Sequence, residues 1–447
     1  MILLLALSVV LHSAAATGTS RSCAPGIHRI SDTLPPFQKD LSVVRSIEPA
    51  DTDFSDLSGL AAAIGSSRIV LLGEQTHGEA STFLAKTRII HFLHEKMGFN
   101  VLAFESGFYD CARIWDNTQH GGTFSKEVIG SLFYMYATSH QMQPLFDYIQ
   151  GRLHRPDSLI VTGFESQHTG ADAKKDLFPD WETYFRQQDP GMLDADWELF
   201  RRVSLATFAS PAYRPTEEEK KIFFRKLAEV KATLSKPARA RSASANSGPA
   251  GLMGGGHFSN SGGFWYQVAR SIESQAVRYW GIVKDNANTR DRQMAENLIW
   301  LAEKAFPDQK IIVWAHNGHI AKNTDQLQSA SGGVDAGFLS SFVPMGAAIH
   351  AHFGDRAFHI GFSAAEGTYM DFNDSKIITL PPLDRGSIEG WLSAAGYKYA
   401  FVDYRHAKGW LRRRRDATLD DYIRMTGTWP ESLDGMFFIR NVFPVDR

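Results

Sequence analysis

The stretch "RIVLLGEQTHGEA", residues 68–80, decides how this chain is read. Ile69 to Leu72 are four apolar residues in a row, and Gly73 closes the run. That pattern predicts a strand buried on both faces, the kind found in parallel sheets. Glu74, His77 and Gly78 follow at once. Two ionisable groups at the exit of a core strand are costly to desolvate, so their placement there points to chemistry.

Working outward, apolar runs and helical periodicities alternate. The spacing predicts a strand over Arg68–Gly73, a helix over Glu79–Met97 ended by Gly98, and a strand in "NVLAFES" (100–106). A helix over Met142–Leu153 and a strand in "SLIVTGFES" (158–166) come next. Such β-α-β alternation implies an α/β fold: a mostly parallel central sheet flanked by helices. In these sheets ligands bind beyond the carboxyl ends of the strands. The three strands carry Glu74, Glu105 and Glu165 at those ends.

The middle of the chain differs. Residues 217–234 are charged and helical, 237–263 are rich in Gly, Ser and Ala, and 264–280 read as a helix. We take roughly 171–288 as a helical insertion within one domain spanning 17–447. The glycines there lack the preceding strand and the Gly-Lys-Ser/Thr of a phosphate loop. The alternation then resumes with a helix over Thr289–Ala305, a strand at Ile311–Trp314 ending on His316 and His319, and further strands near 358–362, 399–403 and 436–439.

Two remote strands thus end in histidine, His77 and His316, and carboxylates end their neighbours. One histidine is usually a satisfied core or surface residue; two with two glutamates, all past strand ends, point to a shared site. On a helical projection of 79–97, Lys86 falls within the face of Phe83, Ile90, Leu93 and Met97, aimed at the sheet and the pocket. Arg88 falls on the opposite side beside Glu95, as an exposed ion-pairing residue.

Composition bounds the function. The chain has 447 residues, 43% of them hydrophobic, enough for a sizeable core. Lys and Arg total 47 against 49 Asp and Glu, a formal charge of −2. That balance argues against nucleic acid as a partner. The two cysteines, Cys23 and Cys111, are too few for a disulfide framework or a Cys-rich zinc site. The leading "MILLLALSVVLHSAAA" (1–16) is too short to span a bilayer and ends in small residues. It reads as a secretory signal peptide cleaved near Ala16, which makes the expected location secreted or periplasmic, with no membrane anchor. After export a Cys23–Cys111 disulfide is chemically open.

The ordered motifs resemble the erythromycin esterase family. "LLGEQTHGEA" and "GFNVLAFESG" are similar to that family's Gly-Glu-x-x-His-Gly, helix, and Gly-Phe strand ending in Glu. "VTGFESQ", "TRDRQMAEN", "VWAHNGHI" and "PMGAAIHAHFGDRAFHIGFSAAEGTY" match later motifs. Lys86 stands where the family usually has arginine, and Glu165 where aspartate is usual. The resemblance implies hydrolysis of a small-molecule ester, in some members a macrolide lactone, with a histidine activating water. It assigns catalysis to His77, with Glu74 and Glu105 beside it, and to His316 and Lys86, which can stabilise the developing oxyanion. Substrate binding falls to His319, Glu165 and Arg290.

Imidazole suits water activation near neutral pH. No cofactor and no metal are expected. A metal-dependent hydrolase using the same His/Glu cluster is the first alternative, and a secreted non-catalytic protein binding a small molecule or polysaccharide the second. A serine hydrolase would need Gly-x-Ser-x-Gly, and "GFSAA" (361–365) lacks the last glycine. The sequence does not specify an oligomeric state.

Overall fold

A computed structural model describes residues 35–236, 258–329 and 336–447. The leading segment with its expected signal peptide, Cys23, and most of the Gly/Ser/Ala-rich stretch lie outside the described residues. Cys111 is buried and free in the helix Phe108–Gln119. Among the described residues no helix is long and apolar enough to cross a membrane.

Among the described residues twelve strands run in chain order: β1 (Leu41–Val44), β2 (Ile69–Leu72), β3 (Phe99–Gly107), β4 (Ile160–Glu165), β5 (Lys310–Trp314), β6 (Gln328–Ser329), β7 (Ala357–Met370), β8 (Ile377–Thr379), β9 (Tyr399–Asp403), β10 (Arg415–Thr418), β11 (Arg424–Gly427) and β12 (Gly435–Val442). The main sheet has the order β1-β9-β12-β7-β2-β5-β3-β4, with β8 against β7. From β12 to β4 every pairing is parallel. β9 and β1 add an antiparallel edge. A mixed α/β fold with a mostly parallel sheet is therefore what the chain adopts. The small sheet β10-β11-β6 was not foreseen, because its strands are short and polar.

The sheet is buried on both faces, which is why its strands read as unbroken apolar runs. β2 is wholly buried, and two hydrophobic clusters separate across it. Ile69 and Leu71 join one cluster; Val70 and Leu72 join the other. Between β4 and β5 the described regular structure is helical only.

The helix Ala80–Met97 corrects one expectation. Arg88 is 1% exposed rather than solvent-facing. Its guanidinium donates to Asp56 at 2.8 and 2.9 Å and to the carbonyls of Ser46, Asp51 and Asp53. The segment before the first core strand lies over that face, so the helix is covered on both sides. A projection onto one sheet-facing stripe cannot reveal a second cover supplied by a distant loop.

Candidate active site

β2 lies where the chain's path across the sheet changes direction: β5, β3 and β4 lie to one side and β7 to the other. Ligands in open α/β sheets settle at such points, beyond the carboxyl ends. Glu74 leaves β2 there. The turn to the next helix is tight because the Met370 carbonyl sits over Gly78: a Cβ at that position would approach it to 1.8 Å. Met370 N–H and Val445 N–H both donate to the Gly78 carbonyl, fixing the turn that aims His77.

Glu74 is completely buried and fully engaged. Its Oε1 lies 2.7 Å from His77 Nδ1 and accepts from the Tyr136 hydroxyl at 2.7 Å. Its Oε2 accepts from Lys86 Nζ at 2.9 Å. Burial alone would raise the Glu74 pKa, but the Lys86 ammonium and His77 hold it below the usual value. Burial lowers Lys86 to about 8 despite Glu74. Lys86 Nζ also lies 4.1 Å over the Trp314 ring. The lysine therefore sits behind Glu74 and does not line the open cavity.

That cavity has a volume of about 550 Å3, and His77, Glu105, Glu165 and Arg290 are in its wall. Such a volume is ordinary for a small-molecule site. Phe133 and Phe372 meet the His77 ring edge-on at 4.9 and 5.1 Å. With Nδ1 committed to Glu74, the ring presents Nε2 as its remaining base.

A second polar group is built on Arg290, in the second turn of the helix Asn286–Trp300. Its Nε donates to Glu165 Oε2 at 2.8 Å and its Nη2 to Glu105 Oε1 at 3.0 Å. Glu105 is buried, yet His319, His77 and Arg290 hold its carboxyl well below the usual range. Burial would likewise raise Glu165, and Arg290 brings it below normal.

The register between β3 and β4 shifts between Phe104 and Gly107, turning Glu105 toward this group. Its other oxygen accepts the His316 backbone N–H at 2.9 Å.

The two later histidines have distinct states. His316 N-caps the short helix Asn317–Ile320, its Nδ1 accepting from Gly318 N–H at 3.1 Å. Its Nε2 donates to the Gln75 carbonyl at 2.6 Å. Burial keeps its pKa low, so the ring is neutral and both nitrogens are spent. It packs 5.4 Å from the His77 ring as a wall.

His319 Nδ1 donates to Asp291 at 2.8 Å. Against the cost of burial, Asp291 and Glu105 raise its pKa to about 9. Its Nε2 lies 3.3 Å from Glu105 Oε1 and 2.8 Å from Arg290 Nη1, so ring and guanidinium share that carboxylate.

All eight site residues expected from the sequence thus gather at one sheet edge. Of these, His77, Glu105, Glu165 and Arg290 line the cavity. Glu74, Lys86, His316 and His319 stand behind it. Sequence reasoning missed Tyr136, which lies in a stretch with no motif. It also passed over Asp291, although the Arg-Asp pair in "TRDRQMAEN" was a signal.

As for metal ligation, His316, Asp420 and Asp421 are the described residues whose ligating atoms lie within 4.8 Å of one another. A cation there would have to displace the His316–Gln75 hydrogen bond. The histidine and glutamate set expected for a metal site is otherwise engaged in ion pairs.

Glu79 is a separate matter. It is 1% exposed, and Oε2 accepts from Thr82 at 2.6 Å. Burial raises its pKa from 4.5 to about 8. The unfolded chain then ionises first as pH rises, so folding stability falls across this window and is lost through about pH 8. Glu79→Gln keeps an acceptor for Thr82 and removes the titration. Urea denaturation at several pH values should show a flatter profile and a variant more stable at pH 8 by on the order of 2 kcal/mol. Parallel profiles for the two proteins would contradict it.

The chain is similar to known proteins over most of its length. The family model described as "Erythromycin esterase" matches residues 94–442. "Putative hydrolase YbfO" of Bacillus subtilis (strain 168) is 26% identical over 431 residues, 90% of each chain. "Erythromycin esterase type II" of Escherichia coli is 24% identical over 428 residues, 90% of this chain and 96% of that one. A mutant of the erythromycin esterase EreC, crystallised in its open conformation, superposes with a TM-score of 0.66 at 17% identity. That match covers 90% of this chain and 98% of that one, and it shows a shared fold.

Proposed function

Since this chain belongs to the erythromycin esterase family, we propose that it hydrolyses a carboxylic ester with a water activated by His77. The family and the names of its relatives support a hydrolase. The finer reading rests on one observation: His77 lines the cavity while its Nδ1 is held 2.7 Å from a buried Glu74 carboxylate. That hydrogen bond selects the tautomer with a bare Nε2 and stabilises the imidazolium formed when water gives up its proton. Tyr136 and Lys86 saturate the remaining acceptor capacity of Glu74, so the carboxylate cannot swing away.

Arg290 contributes the positive charge in the cavity wall. Held between Glu105 and Glu165, it stands where a cation bridging two carboxylates would sit in a metallohydrolase. This arrangement supports a metal-independent reaction. Macrolide lactones and smaller acyl esters are both candidate substrates.

The test is hydrolysis of aryl esters, acylated sugars and macrolides by the purified protein, before and after exhaustive chelation. Turnover should persist within about twofold after chelation, since His77 alone generates the nucleophile. Loss of turnover, restored by Zn2+, would establish the metallohydrolase alternative. Tight ligand binding with no turnover of any ester would establish the non-catalytic one.

A further inference from the structure

We infer that Arg447 selects ester substrates that carry a second, anionic group; this rests on the hydrolase reading above. Besides Tyr134, six ionisable side chains line the cavity: His77, Glu105, Glu165, Arg290, Asp374 and Arg447. Five of them are already committed. His77 is held by Glu74, and Glu105 and Glu165 are both ion-paired to Arg290. Asp374 pairs with Lys376 at 2.6 Å.

Arg447 is exposed and has no ion-pair partner among the described residues, yet three contacts orient its guanidinium. Nε donates to Thr138 Oγ1 at 2.7 Å, Nη1 lies 3.7 Å from Met135 Sδ, and the planar group lies 4.9 Å over the Tyr134 ring.

All three contacts come from one short helix, Tyr134–Thr138, which also supplies Tyr136 to Glu74. The helix that steadies the base therefore also carries the anion reader. Stacking on an aromatic ring and a bond at Nε orient the guanidinium and leave Nη2 free. A planar carboxylate can meet that end of the fork.

Elsewhere the rim presents apolar and uncharged side chains, including Leu132, Phe133 and Phe372, which suit an acyl chain. The substrate class that fits is a half-ester of a dicarboxylic acid, or an ester whose alcohol bears a carboxylate. The scissile carbonyl would lie toward His77 and the free carboxylate toward Arg447.

Matched esters test this. Take 4-nitrophenyl hydrogen glutarate and neutral 4-nitrophenyl pentanoate, with wild type, Arg447→Ala, Arg447→Lys and Arg447→Glu. The ratio of kcat/KM, anionic over neutral, should fall about tenfold in Arg447→Ala and further in Arg447→Glu, mostly through KM. Arg447→Lys should keep most of the preference, and 0.5 M NaCl should narrow the wild-type ratio by screening. An unchanged ratio in both Arg447→Ala and Arg447→Glu overturns the inference.

If wild type cleaves neither of these esters nor any of the panel above, the hydrolase reading is what fails. Calorimetry with glutaric acid monoamide then decides the subsite by itself. Binding to wild type that is lost in Arg447→Glu supports it; equal binding, or none to wild type, overturns it.

Discussion

His77→Ala should lower kcat by about a thousandfold or more while leaving the fold intact. General base catalysis contributes roughly 10²–10⁴-fold, and no other imidazole at this sheet edge is free to replace it. His316 has both ring nitrogens spent on Gln75 and Gly318, and His319 is tied to Asp291. The His77 ring is held edge-on among aromatic neighbours rather than in the deepest core, so its removal should cost little stability. Circular dichroism and the urea midpoint provide the control for folding. Near-wild-type turnover would refute the assignment, as would an acyl-enzyme burst trapped on a serine, which moves the nucleophile from water to the protein.

Lys86→Met should be the most destabilising single change at the site. It leaves the Glu74 carboxylate buried beside Tyr136 without a counter-ion. Breaking a buried pair in this way costs about 3–5 kcal/mol. Turnover should fall as well, because without the ammonium burial pushes the Glu74 pKa up, and a neutral carboxyl holds His77 less firmly. Glu74→Gln alone should lose less activity than His77→Ala, since it keeps an acceptor for Nδ1–H. The double variant separates the two effects. With Glu74→Gln added to Lys86→Met, no charge is left buried, so most of the stability should return while turnover stays low. A Lys86→Met protein as stable as wild type would show that the pair is not what holds this corner of the core together.

The contrast between what sequence reading reached and what it missed has a physical basis. Residues 68–80 announce a buried strand with an acid and a histidine at its exit, because burial on both faces demands an unbroken apolar run. The same logic found Glu105, Glu165 and His316, each past the end of such a run. Lys86 was found because the helix face toward the sheet is periodic. Arg88 was misplaced because the cover on its side comes from the 45–57 segment, which has no periodicity to read.

Tyr136 was invisible for a similar reason. Nothing local distinguishes it from the aromatic residues around it, and its contact with Glu74 spans 62 positions. Likewise, the committed state of His316 depends on the Gln75 carbonyl, a backbone group that no residue pattern marks. Strand ends follow from local chemistry, whereas the partners that set protonation states come from tertiary closure.

The order of the sheet also constrains how the molecule comes into being. Ile69 in β2 pairs with Ile311 on one side and Ala357 on the other, so neither neighbour exists when β2 leaves the ribosome. At about 5–20 residues per second the nascent strand waits roughly tens of seconds for its first partner. β12, still later, must insert between β7 and β9. The half-made chain thus presents an adhesive apolar ribbon, "IVLL", until β5 is made. Slower growth temperature or a holding chaperone should raise soluble yield more than any substitution that only tightens the finished core.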